Sequence, residues 1–171
     1  MYDTTFYKKI VPNKEIKKEF IDLIETDNNP EPILTPWETV SRASWENYNF
    51  QDKLSFLYRK NLSGLVANSL NILETKLDMN RIWYHIYDKN SSSNYHYHTH
   101  DNEFCQISGI YYLKLKSKKL ITNFCFDGGI KVPDVSEGDL ILFDSSLPHN
   151  SPPNNTKSDK IIIAFNLQVL P

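Results

Sequence analysis

Hydrophobic residues in the N-terminal half of the chain recur at helical spacing. Residues 14–26 carry one apolar stripe, formed by Ile16, Phe20, Leu23 and Ile24, which predicts an amphipathic helix that ends before Asn28-Asn29-Pro30. A longer stripe with a period near 3.6 runs over residues 51–78 and predicts a second helix, whose apolar face packs on a core. Between the two helices, Trp37, Trp45, Tyr48 and Phe50 lie in a polar, irregular segment.

From residue 81 onward the pattern changes to short alternating or apolar runs separated by turn residues, which is typical of strands. The predicted strands are residues 81–87, 95–100, 105–115, 120–126, 140–143 and 161–169. Helices followed by many strands predict a mainly β, α+β fold, or a barrel covered by helices. We therefore expect a single domain over residues 1–171, with residues 1–80 as helical support and residues 81–171 as the β core.

Composition and charge narrow the class of protein. With 171 residues, of which 40% are hydrophobic, the chain can bury the core of one ordinary domain. A net charge of -2 gives no general attraction to nucleic acid or to an anionic membrane. There is no apolar stretch of 18 residues and no signal-peptide core at the N-terminus. The expectation is a cytoplasmic protein that acts on neither nucleic acid nor membrane.

Histidines are concentrated in two short segments. The run His96-Tyr97-His98-Thr99-His100 places three imidazoles two residues apart, and His149 follows in Leu147-Pro-His-Asn150. In an extended chain all three side chains of the run point to the same face, and imidazole is the commonest protein ligand for metals. A catalytic metal needs ligands from separate strands and open corners for substrate. The preferred ligand set is therefore His98, His100 and His149.

Two alternatives remain open at this point. The pair His96 and His98 also fits if the following loop is longer, and Asp101 could then supply a carboxylate. His98 belongs to both registers. The non-functional alternative makes these histidines surface or hydrogen-bonding residues.

Lys160 follows His149 by eleven positions and opens an apolar strand. Lysine at a strand end has a structural explanation, since its stem packs on apolar surface while its charge reaches water. Beside a metal site, a charge-assisted hydrogen bond to a ligand carboxylate is the favoured interpretation.

Five segments in this order resemble the Fe(II)- and 2-oxoglutarate-dependent oxygenases, particularly small phage and bacterial members that are similar to prolyl hydroxylases. They lie within residues 81–168 and are His98-Thr-His100, Ser108-Gly-Ile-Tyr-Tyr-Leu113, Glu137-Gly-Asp-Leu-Ile-Leu-Phe143, Leu147-Pro-His149 and Lys160-Ile-Ile-Ile-Ala-Phe-Asn166.

This resemblance implies a double-stranded β-helix, the jelly-roll barrel, with Fe(II) held by His98, His100 and His149. Lys160 matches the basic residue that binds the far carboxylate of the cosubstrate 2-oxoglutarate. Tyr112 matches a hydroxyl near that carboxylate, with Tyr87 as a second candidate. The usual triad contains His-x-Asp or His-x-Glu, whereas this segment has only His-x-His, which makes the metal site one charge unit more positive.

The implied reaction uses O2 and couples decarboxylation of 2-oxoglutarate to succinate with hydroxylation of an unactivated carbon. The expected substrate is a peptide or protein side chain or a small molecule, and the expected location is the host cytoplasm if the gene is carried by a phage.

The alternative class is the cupins. The segment from His96 to Glu103, followed by Gly109, approximates the first cupin motif, and Gly138-Asp139 leading to His149 resembles the second. In that case Glu103 is a ligand, Lys160 is incidental and 2-oxoglutarate is not used. A third possibility is a metal-free binding module, in which the imidazoles recognise a sugar or an anion.

Overall fold

A computed structural model describes residues 7–98 and 106–171 of the chain. These residues form three α-helices and eleven strands. The helices are α1 Lys14–Ile24, α2 Tyr48–Asn61 and α3 Ser63–Leu70. The strands are β1 Tyr7–Ile10, β2 Glu31–Leu34, β3 Glu38–Ala43, β4 Leu77–Tyr87, β5 Ser92–His96, β6 Ile107–Lys114, β7 Asn123–Phe126, β8 Gly129–Lys131, β9 Leu140–Asp144, β10 His149–Ser151 and β11 Lys160–Val169.

The strands pair in the order β1-β9-β6-β11-β4-β3-β5-β10-β7-β8, with β2 added to β3. The pairing is antiparallel throughout this described sheet. The ten-residue strand β11 lies between β4 and β6 and forms the longest ladder with β4. The expectation of a mainly β, α+β fold is confirmed.

Alternation along the central strands separates two cores. On β11, Ile163 and Phe165 belong to the cluster that the helices cover, whereas Ile162 and Ala164 belong to a second cluster inside the curled sheet. Successive side chains of a strand point to opposite faces. A strand that is buried on both faces therefore appears as a continuous apolar run, which explains the sequence of β11.

Helix boundaries have local causes. The side chain of Asn13 accepts a hydrogen bond from the Glu15 N–H, and that of Asn47 accepts one from the Phe50 N–H. Asparagine caps of this kind satisfy backbone donors that have no partner within the helix. Among the described residues, no helix has the length and apolar composition needed to cross a membrane.

The prediction of one helix over residues 51–78 was wrong. The backbone leaves regular helix at Leu62, where φ is -117°, and α3 begins at the next residue. Asn71 then ends α3 in the left-handed conformation, with φ 55°, which asparagine tolerates better than most residues. A short 3₁₀ turn follows, and β4 begins at Leu77. The apolar period of the sequence therefore continues across the helix interruption at Leu62 and the helix end at Asn71, and it does not indicate either of them.

The segment expected to be irregular contains the β2–β3 hairpin. Only Val40 and Ala43 of β3 are buried, so little alternation marked the hairpin in the sequence. The strand expected at residues 95–100 begins earlier, because β5 starts at Ser92 and ends at His96. Trp37 and Tyr48 are exposed, whereas Phe50 is buried.

Candidate metal and cosubstrate site

Two strands bring the histidine segments together on the inner face of the curled sheet. His96 is the last residue of β5 and His149 is the first residue of β10, and the two are direct partners in the antiparallel ladder. His98 lies two residues beyond β5, where its backbone N–H donates to the Ser145 carbonyl at 2.9 Å. The site is therefore built across strands that are far apart in sequence.

The three imidazoles converge on one point. Ring nitrogens of His96, His98 and His149 all lie within 4.8 Å of one another, and the Nε2 atoms of His98 and His149 are 3.2 Å apart. The Nδ1 atom of His149 lies 2.9 Å from the Leu147 carbonyl, and that of His96 lies 2.8 Å from the Asn94 carbonyl. An Nδ1–H that donates to a carbonyl leaves Nε2 with its lone pair, the form that binds metals.

The donor set fits a divalent transition metal. Burial, together with the neighbouring histidines, holds the pKa of His149 well below its ordinary value, and burial lowers the pKa of His96. Both rings are therefore neutral at physiological pH, as metal ligation requires. Three imidazoles with open corners suit Fe(II), Zn(II) or related ions. The described residues contribute no carboxylate to this group.

Of the second register considered from the sequence, both His96 and His98 meet His149. Residues 99–105, and with them His100, Asp101 and Glu103, lie outside the described residues. His100 as a ligand stays a prediction, as does the Glu103 ligand of the cupin alternative. His98 and His149 belong to both registers and are brought together.

Lys160 lies at one end of the same cavity and is only 1% exposed. Its Nζ donates to Ser151 Oγ at 2.9 Å, and it lies 5.1 Å from the ring centre of Tyr87 and 5.7 Å from that of Tyr112. Burial lowers the pKa of Lys160 to about 7. No carboxylate of the described residues is within ion-pair distance of this ammonium group. A buried cation without a counter-charge favours an anionic ligand.

The two tyrosines predicted near the cosubstrate differ in their hydroxyl partners. The Tyr112 hydroxyl accepts the Thr122 N–H at 3.3 Å, and burial raises the pKa of Tyr112 to about 12. The Tyr87 hydroxyl donates to Glu38 Oε1 at 3.4 Å and lies 3.0 Å from His85 Nδ1. Tyr87 lines the cavity. A direct role for either hydroxyl in cosubstrate binding stays a prediction.

The cavity-lining residues that the sequence did not single out as site residues include Glu38, Trp83, His85 and Asn166. Burial raises the pKa of Glu38 to about 7 and lowers that of His85 to about 3, so His85 is neutral at physiological pH. Trp83, His85 and Tyr87 alternate along β4, as Lys160 and Asn166 do along β11. Polar residues at alternate positions of apolar strands were the available signal.

Comparison with known proteins gives a clear result for the fold. No protein-family profile matches the sequence, and no protein of curated function matches it. Solved structures do match. An oxidoreductase of the 2OG-Fe(II) oxygenase family from Burkholderia pseudomallei has a TM-score of 0.75 at 11% identity, covering 96% of this chain and 86% of that one. A prolyl-4-hydroxylase from Pseudomonas putida has a TM-score of 0.68 at 11% identity, covering 98% and 95%.

A third similar structure is that of an epimerase rather than a hydroxylase. The non-heme α-ketoglutarate-dependent epimerase SnoN from nogalamycin biosynthesis has a TM-score of 0.72 at 11% identity, covering 97% of this chain and 80% of that one. At such identities the similarity concerns the fold. The chain has the double-stranded β-helix fold of the Fe(II)/2-oxoglutarate oxygenases, as expected from the sequence.

Proposed function

We propose that this protein is an Fe(II)- and 2-oxoglutarate-dependent dioxygenase, and specifically a hydroxylase. One observation carries the proposal. Three imidazoles, from His96, His98 and His149, converge in the same cavity as the uncompensated cation of Lys160. This pairing matches a metal that is chelated by one end of a dicarboxylate whose other end is neutralised by an ammonium group.

The residues have separate tasks. His96, His98 and His149 hold the metal, while the carbonyls of Asn94 and Leu147 keep two of the rings in the correct tautomer. When bound, Fe(II) with 2-oxoglutarate supplies the oxidising chemistry, in which O2 is consumed, succinate and CO2 are formed, and a C–H bond of the substrate is hydroxylated.

Lys160 binds and orients the far carboxylate of 2-oxoglutarate. The Ser151 hydroxyl accepts from its Nζ and limits the positions of the ammonium group. The rings of Tyr87 and Tyr112 flank it and exclude water, which strengthens the interaction between opposite charges. The substrate that we propose is a peptide or protein side chain or a small molecule.

The proposal is tested by anaerobic titration of the purified protein with Fe(II) and then 2-oxoglutarate, monitored by visible absorption. We expect a weak charge-transfer band that requires both additions and that is lost in His149→Ala. Admission of O2 should then produce succinate. Iron binding without the band, and without succinate, would contradict the proposal and support the cupin-type alternative that does not use 2-oxoglutarate. Absence of metal binding would support the metal-free alternative.

A further inference from the structure

The cavity has a second polar end, opposite Lys160. Lys160 and Asn166 are on the same face of β11, six residues apart, which corresponds to about 20 Å along a strand. Asn166 is the direct partner of Arg81 on β4 and of Ser108 on β6. These three residues form a row across the sheet, and Trp83 is the next residue of β4 on the same face.

The metal ligands lie between the two ends. Lys160 contacts Ser151, two residues from His149, whereas the His98 ring lies 6.0 Å from that of Trp83. A five-carbon diacid has about 5 Å between its carboxyl carbons, given C–C bonds of about 1.5 Å. With hydrogen bonds of about 2.9 Å at each end, it covers roughly half the distance to Asn166. A cosubstrate bound to Lys160 therefore leaves the second end for another molecule.

Three hydrogen-bond donors at this second end have no partners among the described residues. Asn166 Nδ2, Trp83 Nε1 and Arg81 Nε are all buried and unpaired. Asn166 is 1% exposed and Trp83 is 3% exposed. The amide orientation of Asn166 follows from Ser108, whose hydroxyl donates to Asn166 Oδ1 at 2.9 Å. Buried donors without acceptors destabilise a fold, so such a cluster indicates a missing acceptor.

Positive charge lies next to the second end, on Arg81, which pairs with the cavity-lining Asn166 but does not itself line the cavity. The Arg81 guanidinium carbon lies 3.3 Å from the ring centre of Trp45, and Nη2 donates to the Trp45 carbonyl at 2.6 Å. The Trp45 ring packs edge-on against Trp83 at 4.6 Å. Within the described part of the chain, no carboxylate pairs with Arg81. The cation is thus held in one place by stacking rather than neutralised.

We propose that Arg81, Trp83 and Asn166 form a recognition site for a carboxylate of the primary substrate. This inference rests on the proposed function, because it assigns the first end of the cavity to 2-oxoglutarate. The three unpaired atoms are all donors and the nearby charge is positive, so an anionic acceptor satisfies both features, whereas an amine satisfies neither. Two other cavity-lining residues, His85 and Asn150, also have a buried polar atom without a hydrogen-bond partner. They lie in other rows of the sheet, because the neighbour of His85 on the adjacent strand is Ile162 and that of Asn150 is Asn123.

The test uses the indole ¹⁵N–H resonances of the Zn(II)- and 2-oxoglutarate-loaded protein, because Zn(II) is diamagnetic and blocks turnover. The chain has three tryptophans, and Trp83→Phe assigns the resonance of interest. The probes are acetate and cyclopentanecarboxylate, each compared with its neutral amide, acetamide or cyclopentanecarboxamide. We expect the carboxylates to shift the Trp83 resonance saturably, at concentrations about tenfold lower than the amides require.

Variants then assign the shift to this site. Asn166→Leu should weaken carboxylate binding by about tenfold, and Arg81→Met should remove the preference for carboxylates over amides. The matched control is Asn68→Leu, the same change at an exposed position of α3, which should leave the titration unchanged. Thermal unfolding checks that each variant folds. Because Asn166→Leu and Arg81→Met change different residues of the same site, the assignment does not depend on a single variant.

Three results would overturn the inference. The first is a Trp83 resonance with no saturable shift, and the second is binding of the amides as tight as that of the carboxylates. The third is an Asn166→Leu variant in which 2-oxoglutarate binding is weakened as much as carboxylate binding. The third result would assign these donors to the cosubstrate. Failure of the proposed function itself is seen separately, as a wild-type protein that binds no 2-oxoglutarate in the presence of Zn(II), and it would overturn both proposals.

Discussion

The Nε2 atoms of His98 and His149 lie 3.2 Å apart across two segments that are 51 residues apart in sequence. With metal–nitrogen bonds of about 2.1 Å, two nitrogens on adjacent corners of an octahedron lie about 3.0 Å apart. The pair is therefore spaced for one ion before the ion binds. Preorganisation of this kind reduces the ordering that binding must impose.

Removal of a ligand should abolish metal binding. His96→Ala and His149→Ala are each expected to weaken Fe(II) binding by more than about 100-fold, beyond the 10- to 100-fold loss typical of residues that only support a ligand. Anaerobic equilibrium dialysis measures the affinity. His100→Ala distinguishes the two registers: the proposed set of His96, His98 and His149 requires that this variant keep its iron, whereas the register of His98 with His100 requires that it lose it. Loss of iron in His100→Ala with retention in His96→Ala would contradict the geometry described here.

Lys160 should affect the cosubstrate and not the metal. Lys160→Met is expected to raise the KM for 2-oxoglutarate by about 100-fold, because a charge-assisted bond to a buried carboxylate is lost. Fe(II) affinity should change little. The matched control is Lys157→Met, an exposed lysine of the preceding loop, for which KM should equal that of the wild type. An unchanged KM in Lys160→Met would remove the proposed role.

Affinity for 2-oxoglutarate should depend on pH near neutrality. Burial lowers the pKa of Lys160 to about 7, so the ammonium form that binds a carboxylate is lost as the pH rises above 7. Burial raises the pKa of Glu38 to about 7, and its ionisation over the same range adds an unfavourable negative charge. The affinity should fall by about tenfold for each pH unit above 7, as measured by calorimetry.

Calorimetry also supplies the control for this effect. Titrations in buffers of different ionisation enthalpy should show proton uptake on binding above pH 7, and Lys160→Met should lose the Lys160 contribution to it. The stability of the ligand-free protein should depend on pH in the opposite direction from the affinity for 2-oxoglutarate. The unfolded chain has an ordinary lysine pKa and binds the proton more tightly, so this group makes stability rise as the pH increases above 7. A flat affinity profile from pH 6 to 9 would contradict the prediction.

Gly109 should be essential for packing of the central sheet. A Cβ atom added at Gly109 would lie 2.1 Å from the ring of Phe165, its direct partner on β11. Gly109→Ala is expected to lower the free energy of unfolding by about 1–3 kcal/mol or more, as overpacking does. Urea denaturation measures the change. Gly128→Ala is the matched control, because open space surrounds that position. Phe165→Leu in the Gly109→Ala background should restore part of the loss.

Predictions from the sequence succeeded where local pattern was sufficient. The apolar stripe over residues 14–26 corresponds to α1, and the long apolar runs correspond to β6 and β11. The histidine run, His149 and Lys160 stood out because metal-binding and charged residues are uncommon beside buried strands. The same local signal failed at the β2–β3 hairpin, where few side chains are buried, and at the break between α2 and α3.

The sequence by itself determined the mainly β framework, through the spacing of its apolar residues, and the functional groups available, namely the clustered imidazoles and Lys160. Only the tertiary structure decided which residues meet. Alternation puts His96, His98 and His100 on one face, so it cannot choose between registers, whereas the pairing of β5 with β10 places His96 opposite His149. Likewise, Asn166, Arg81 and Trp83 form one polar cluster only because β11 pairs with β4 in that register. These pairings join strands that are far apart in sequence, and the pattern within one strand does not identify its partner.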